Sequence, residues 1–336
     1  MSGETTGPAA RSRGPTGSFY EPPTLAEIEA AGRRIASTVL RTPLVRLEVE
    51  NVPAEIFLKL ENLQPIGSFK LRGAANALAL VDRDELADGV WTASAGNMAQ
   101  AVAWLARERR VRCTVVVPET APKTKLEAIA RLGADAVPVP VATWFEVFRT
   151  RTYPGMRGVF VHPFSDPNVI AGNGTIGLEI AADLPDVNAV VVPYGGGGLC
   201  CGTASALREL VPSATVYACE VETAAPLAAS LAAGEPAEVD HTPSFVDGIG
   251  APRVFVEMFA LASQLVDASL VVGLAEVAAA IRLLVERVRV VAEGAGAAPV
   301  AAALSGRAGT GKVVCVVSGG NLDTSVLSAI LAGKTP

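Results

Sequence analysis

The residue of greatest chemical consequence in this chain is Lys70. It sits in Glu61-Asn-Leu-Gln-Pro-Ile-Gly-Ser-Phe-Lys70-Leu-Arg-Gly73, where a turn leads into the first coil of a helix. An amine drawn out of water loses the solvation that favours its ammonium form. Such a lysine tends toward the neutral nucleophile that forms an imine with an aldehyde. Three other segments carry groups suited to the same site. Gly195-Gly-Gly-Gly-Leu199 has the makings of an anion cradle, Ser94-Ala-Gly-Asn97 sets polar groups at a turn, and Ser318-Gly-Gly-Asn321 sets a hydroxyl at another.

The elements around these segments place them alike. From about residue 88 the chain repeats a short apolar strand, a glycine-bearing turn and a helix with apolar residues at helical spacing, the alternation of a parallel sheet. Val90-Trp-Thr-Ala93 runs into Ser94 to Asn97 and a helix from Met98 to about Arg109. Val111 to Val117 reads as a strand, Lys123 to Leu132 as a helix closed by a left-handed Gly133, and Ala134 to Val141 as a strand. The stretch from Thr143 to Gly174, with Pro154, Gly155, Pro163 and Pro167, breaks the pattern and reads as a linker between domains. Beyond it, Ala189 to Pro193 leads into the four glycines and a helix from Leu199 to about Leu210. Thr215 to Cys219 is a strand, Ala275 to Val290 a helix with a stripe of Val277, Ile281, Leu284, Val285 and Val288, and Lys312 to Val317 a strand entering Ser318. Three of the four segments thus fall at the carboxyl end of a strand, the edge where open parallel sheets bind ligands. Lys70 falls in the first turn of a helix that the Ser68 hydroxyl is placed to cap.

Helix starts carry unpaired N–H groups and a positive dipole end, so they attract anions. Without Cβ atoms, Gly195 to Gly198 can turn successive N–H groups onto one anion, with phosphate the expected guest. The loop is not the dinucleotide fingerprint, because Cys200 stands at the third glycine position, and no Walker-type Gly-Lys-Thr/Ser follows.

Composition narrows the remaining classes. With 336 residues, half of them hydrophobic and only 18% charged, the chain can bury a sizeable core without staples. A net charge of −6 without a long basic run disfavours nucleic acid and anionic membranes and leaves a small solute as partner. Cys113, Cys200, Cys201, Cys219 and Cys315 lack paired spacing and read as reduced core residues. His162 and His241 have no ligand-like neighbours and read as structural or solvent-facing, so no metal site is expected. Residues 1 to 22, rich in Gly, Pro, Ser, Thr and Arg, read as a disordered arm without a secretory signal. No apolar run is long enough to span a membrane, and a cytoplasmic location is expected.

A lysine, a polar turn, a glycine cradle and a second polar turn in this order resemble the serine/threonine dehydratases, pyridoxal-phosphate enzymes of the tryptophan synthase β type. The likeness covers roughly residues 23 to 332 and includes Ala171-Gly-Asn-Gly-Thr-Ile-Gly-Leu-Glu-Ile180 besides the four segments above. It implies an α/β, two-domain fold of type II, with open, mostly parallel sheets flanked by helices and the active site between the domains. The large, cofactor-binding domain would comprise residues 23–89 and 163–336, and the small domain residues 90–162. By resemblance the cofactor is pyridoxal 5'-phosphate, Lys70 bears it, Phe69 packs beside its ring and Asn97 bonds the ring hydroxyl. Gly195, Gly196, Gly197, Gly198 and Leu199 hold the phosphate, Ser318 faces the ring nitrogen, and Glu293 matches a family acid near the cofactor. Ser94, Ala95, Gly96, Asn97 and Met98 form the substrate side, with the substrate carboxylate at the helix start. Asp247 and Gly248 line a substrate-side loop.

The implied activity is β-elimination of water from a small β-hydroxy amino acid, giving a 2-oxo acid and ammonia. Alternatives are a dehydratase for threo-3-hydroxyaspartate or another modified β-hydroxy amino acid, a β-replacement enzyme, and a non-catalytic cofactor-holding protein. The chain departs from the family at three places. Met98 stands where a histidine is usual, Ala95 where serine racemases carry a serine, and Pro226 where relatives that bind a divalent cation carry an acid after Glu220. Ala95 predicts elimination without efficient racemisation, and Pro226 little activation by magnesium. The resemblance also implies a homo-oligomer, with a dimer favoured.

Overall fold

A computed structural model describes residues 21–336. The segment expected to be a disordered arm lies, but for Glu21 and Pro22, outside the described residues. The chain opens with α1 (Leu25–Ile35), whose start is fixed by a capping box in which Thr24 and Glu27 satisfy each other's backbone N–H. An antiparallel pair follows, β1 (Leu44–Leu47) and β2 (Ala54–Leu60), then α2 (Lys70–Ala79). Next come β3 (Val90–Ala93), α3 (Asn97–Arg109), β4 (Cys113–Pro118), α4 (Lys123–Arg131), β5 (Asp135–Val139), α5 (Val141–Thr150) and β6 (Val159–Phe160). The chain continues through α6 (Pro167–Asp183), β7 (Ala189–Pro193), α7 (Gly198–Leu210), β8 (Thr215–Val221) and α8 (Pro226–Ala233). It ends with α9 (Val256–Leu265), β9 (Ala268–Val272), α10 (Leu274–Leu283), α11 (Gly294–Leu304), β10 (Gly311–Val317) and α12 (Thr324–Leu331).

The strands form two sheets. One runs β1-β2-β10-β7-β8-β9 and is parallel except for β1, and the other runs β5-β4-β3-β6 and is parallel throughout. Parallel strands are covered on both faces, so they read as unbroken apolar runs. In β7 every residue is buried, and in β10 all but the first two are. One core lies between the larger sheet and α10 and α11, a second between that sheet and α7 and α9. A third joins the smaller sheet to α3 and reaches across to Leu71, Ala74 and Leu78 of α2. Helix α2 therefore packs on α3 while its first residue faces the gap between the sheets.

Local expectations meet the structure unevenly. Gly133 closes α4 with φ +84°, as its position after a helical run suggested. The stretch read as a linker from Thr143 to Gly174 is irregular only in its middle, since α5 runs to Thr150 and α6 begins at Pro167. Pro167 counted towards a break there, but it stands at the first position of α6, where a missing N–H costs nothing. The long helix expected to Val290 ends its regular part at Leu283, continues as a π turn to Val288 and stops at Arg289 with φ +65°. Among the described residues no helix is long and apolar enough to cross a membrane.

Candidate active site

The carboxyl ends of β3, β6, β7 and β10 converge on one gap between the two sheets, and Lys70 opens α2 beside them. The turn before Lys70 is stitched to the end of β10. Phe69 donates its N–H to the Ser318 carbonyl at 2.9 Å, Ser68 pairs with Gly319 in a bridge, and Gly320 donates to Gly67 O at 2.9 Å. Ser68 does not cap α2 as expected. The helix starts without a side-chain cap, and the buried Ser68 hydroxyl has no partner among the described residues. Its backbone has been drawn into the bridge.

The Lys70 amine donates to the Pro163 carbonyl at 2.6 Å and lies 5.1 Å from the centre of the Phe69 ring. Burial pushes its pKa down from 10.5 to about 8, against a smaller upward pull from the Glu293 carboxylate. That is the depressed amine which the sequence suggested.

Gly195 to Gly198 form a tight floor. A Cβ at Gly196 would collide with the Phe164 ring, and one at Gly198 would stand 2.5 Å from the Phe164 carbonyl. Gly197 takes φ +87° and serves as N-cap of α7, which has no capping side chain. The first N–H groups of a thirteen-residue helix are thus left for a guest. Tyr194, just before the loop, is buried with a hydroxyl unpartnered among the described residues.

Across the gap, Ser94 Oγ accepts from the Gly96 N–H at 3.1 Å, while Ala95, Gly96 and Asn97 are half-buried at the start of α3. The Asn97 amide lies in a relay: its Nδ2 donates to Glu293 Oε1 at 2.7 Å, and its Oδ1 accepts from Asn321 Nδ2, also at 2.7 Å. Glu293 occupies the N-cap position of α11, yet its carboxylate makes no capping hydrogen bond. Burial pushes Glu293 up to about 7, reinforced by Asp247 and opposed by its bond to Asn97. Asp247 pairs with Lys125 of α4, and the Gly248 carbonyl lies 3.1 Å from where a Cβ at Gly195 would stand.

Ser318 is buried at the end of β10, beside the Lys70 turn. Met98 is buried too, with its side chain in the core that α3 shares with α2, so its influence on a ligand would run through the placement of α3. Pro163, Phe164 and the Asn321 amide were not singled out from the sequence. The first two fall in the stretch read as a linker, where an aromatic residue just ahead of the Asp166-Pro167 helix start is the only local signal.

His241 is exposed, and all five cysteines are buried and unpaired. Among the described residues no three His, Cys, Asp or Glu side chains gather as a metal site. Glu220 spends both oxygens on protein donors: Leu227 N and Ala228 N at the start of α8, each at 2.8 Å, and Ser269 Oγ at 2.6 Å.

A depressed amine and an uncapped, glycine-floored helix start, both held against the Pro163-Phe164 turn, are what an aldehyde with a phosphate arm requires. The family model for pyridoxal-phosphate dependent enzymes matches residues 35–319. This chain belongs to that family. Pyridoxal phosphate is its cofactor, and the glycine floor, the uncapped start of α7 and the Lys70 amine fit that group. An L-threonine ammonia-lyase of Thermotoga maritima is 42% identical over 313 residues, 92% of this chain and 78% of that protein. The catabolic L-threonine dehydratase TdcB of Staphylococcus aureus is 36% identical over 322 residues, 91% of each chain. Among solved structures, a threonine deaminase of T.th. superposes with a TM-score of 0.82 at 35% identity, covering 90% of this chain and 99% of that one. Maize serine racemase superposes with a TM-score of 0.83 at 31% identity, covering 93% and 98%. The family and these neighbours establish the fold as the type II architecture that the sequence implied.

Proposed function

We propose that this pyridoxal-phosphate enzyme is an ammonia-lyase that removes water from a small β-hydroxy amino acid of the L-threonine and L-serine kind, yielding a 2-oxo acid and ammonia. The observation that carries this reading is the fastening of the Lys70 turn to the end of β10: Phe69, next to the depressed amine, donates its N–H to the carbonyl of Ser318, whose side chain is a neutral hydroxyl. Bound pyridoxal phosphate supplies an electron sink that makes the Cα proton of an amino acid removable. The protein supplies the rest.

Lys70, as a free amine, takes the Cα proton. A pKa of about 8 leaves a usable neutral fraction near neutrality, where 10.5 would leave almost none. Gly195 to Leu199 would hold the phosphate on the N–H groups of α7, and Phe69 and Asn97 would hold the ring and its hydroxyl. Glu293, hydrogen-bonded to Asn97, orients that amide. Ser94 to Met98 receive the substrate carboxylate on the start of α3. Ser318 would serve the ring nitrogen, where a hydroxyl would not hold a proton on the ring as a carboxylate would. With a weaker sink the group would supply chemistry suited to prompt loss of the β-hydroxyl. Ala95 has no proton to deliver on the opposite face, so elimination proceeds without efficient racemisation. The relatives named L-threonine ammonia-lyase and dehydratase support this choice of chemistry. We further propose residues 23–89 with 163–336 and residues 90–162 as the two domains, and a cytoplasmic homo-oligomer, a dimer in the first instance.

Incubating the holoenzyme with L-threonine, L-serine, threo-3-hydroxyaspartate and larger β-hydroxy amino acids tests the reading. Equal yields of ammonia and 2-oxo acid, greatest with threonine or serine, are expected. A best substrate of threo-3-hydroxyaspartate would move the assignment to that acid, and product formed only with added sulfide would move it to β-replacement. Ammonia from none would leave a cofactor-holding protein, and abundant D-serine from L-serine would overturn the role given to Ala95.

A further inference from the structure

His162 lies just past β6 and is buried. Its Nδ1 accepts the backbone N–H groups of Phe164 at 3.2 Å and Ser165 at 2.8 Å, and its Nε2 lies 3.2 Å from the Phe148 carbonyl of α5. Two donors aimed at Nδ1 leave no room for a hydrogen there. The ring proton therefore sits on Nε2 and is donated to Phe148 O. Burial, with the Arg151 and Lys70 cations nearby, holds His162 well below the usual histidine range and keeps it neutral.

The turn fastened in this way meets the site twice. The Pro163 carbonyl accepts the Lys70 amine, and the Phe164 ring fills the space where a Cβ at Gly196 would stand. The His162 ring meets the Phe164 ring edge-on, with centres 4.5 Å apart. On the far side Ser165 accepts from Arg151 through its carbonyl and hydroxyl, and its Oγ donates to Glu257 of α9 at 2.9 Å.

We propose that His162 is a positioning residue: by accepting two backbone N–H groups it holds the Pro163 carbonyl at the Lys70 amine and the Phe164 ring under the glycine floor. One neutral ring thereby sets both the resting place of the amine and the height of the phosphate loop. The inference rests on Lys70 being the lysine that bears the cofactor.

Three variants separate positioning from mere filling. In His162→Asn the Oδ1 can replace Nδ1 as acceptor, in His162→Gln the polar atoms reach toward Phe148 instead, and His162→Leu removes both. Apoprotein is mixed with pyridoxal phosphate, quenched with borohydride at timed intervals, and the modified Lys70 peptide is quantified by mass. Cofactor affinity and urea unfolding are measured in parallel. The Asn variant should trap at a rate close to wild type, whereas Gln and Leu should be slower and bind the cofactor about tenfold or more weakly, because two backbone hydrogen bonds are lost. Trapping by His162→Gln at the wild-type rate, or by His162→Asn as slowly as by Gln, overturns the proposal. So does a uniform fall in unfolding midpoint with trapping unchanged. If His162→Leu does not fold, the Asn and Gln pair carries the test. An unmodified Lys70 in cofactor-saturated wild type would instead overturn the functional reading, before any variant is compared.

Discussion

Lys59 and Lys70 are drawn toward the interior from neighbouring elements, and the company each keeps is opposite. Lys59, fully buried in β2, sits 2.5 Å from Glu179 Oε2 and 2.6 Å from the Thr42 carbonyl. Beside it Arg72 grips Glu61 with two bonds of 2.8 Å and reaches Glu179 at 2.7 and 2.9 Å. Burial pushes the Glu61 carboxyl up, but Arg72, with help from Thr42 and Lys59, outweighs it and leaves the group below its usual range. Around Lys70 no carboxylate is in contact among the described residues, only the Pro163 carbonyl, and burial wins. A contacting counter-ion makes a buried cation part of the scaffold. Without one, the same side chain becomes a reagent.

Removing the reagent should have the largest effect. Lys70→Ala should lower ammonia release by more than about a thousandfold, since one side chain supplies both the covalent anchor and the base. Its urea unfolding midpoint should stay at or above that of wild type, because an awkward buried amine is gone. Removing a scaffold charge should do the reverse. Arg72→Met leaves the buried Glu61 without its main partner and should cost about 3–5 kcal/mol in urea unfolding. Lys59→Met should cost less, because Glu179 keeps its bonds to Arg72. Equal losses for Arg72→Met and Lys59→Met would show that the network does not centre on Arg72.

The glycine floor offers a milder perturbation of the reagent side. Gly196→Ala drives a methyl into the Phe164 ring. Either the ring or the loop must move, and cofactor affinity, read by titrating apoprotein, should fall about tenfold, in the range typical of overpacking a tight site. Retained affinity would mean that Phe164 yields without disturbing the N–H groups of α7.

The two regions also differed in how far the sequence disclosed them. Lys70, the four glycines and the strand-to-turn sites at Ser94 and Ser318 were legible because each is a local pattern whose residue types suit one task. The Lys59–Glu179 and Arg72–Glu179 bonds join positions 120 and 107 residues apart, and nothing in a window of sequence says which buried charges will meet. His162 was opaque for a related reason: its partners are backbone groups, which every residue carries. The missed α5 shows a different failure. Prolines marked the stretch as irregular, yet Trp144, Phe145 and Phe148 lie on the face of a helix that packs against Trp91 and Phe160 of the smaller sheet.

The subtlest effect should come from Glu293, the acid that acts on Lys70 without touching it. Its charge pulls the amine's pKa upward, so Glu293→Gln, which can still accept from Asn97 Nδ2, should move the midpoint of Lys70 labelling in apoprotein below the value of about 8. The same variant carries a sign that stability can read. In the folded chain Glu293 titrates at about 7 rather than 4.5, so between those values the native state holds a proton that the unfolded chain has released. Stability is then present in full below pH 4.5 and is lost as the pH rises through 7. Glu293→Gln should flatten that decline in urea unfolding followed across this window. A labelling midpoint that stays put, together with an unchanged slope, would mean that Glu293 is solvated in the apoprotein and exerts no pull on the amine.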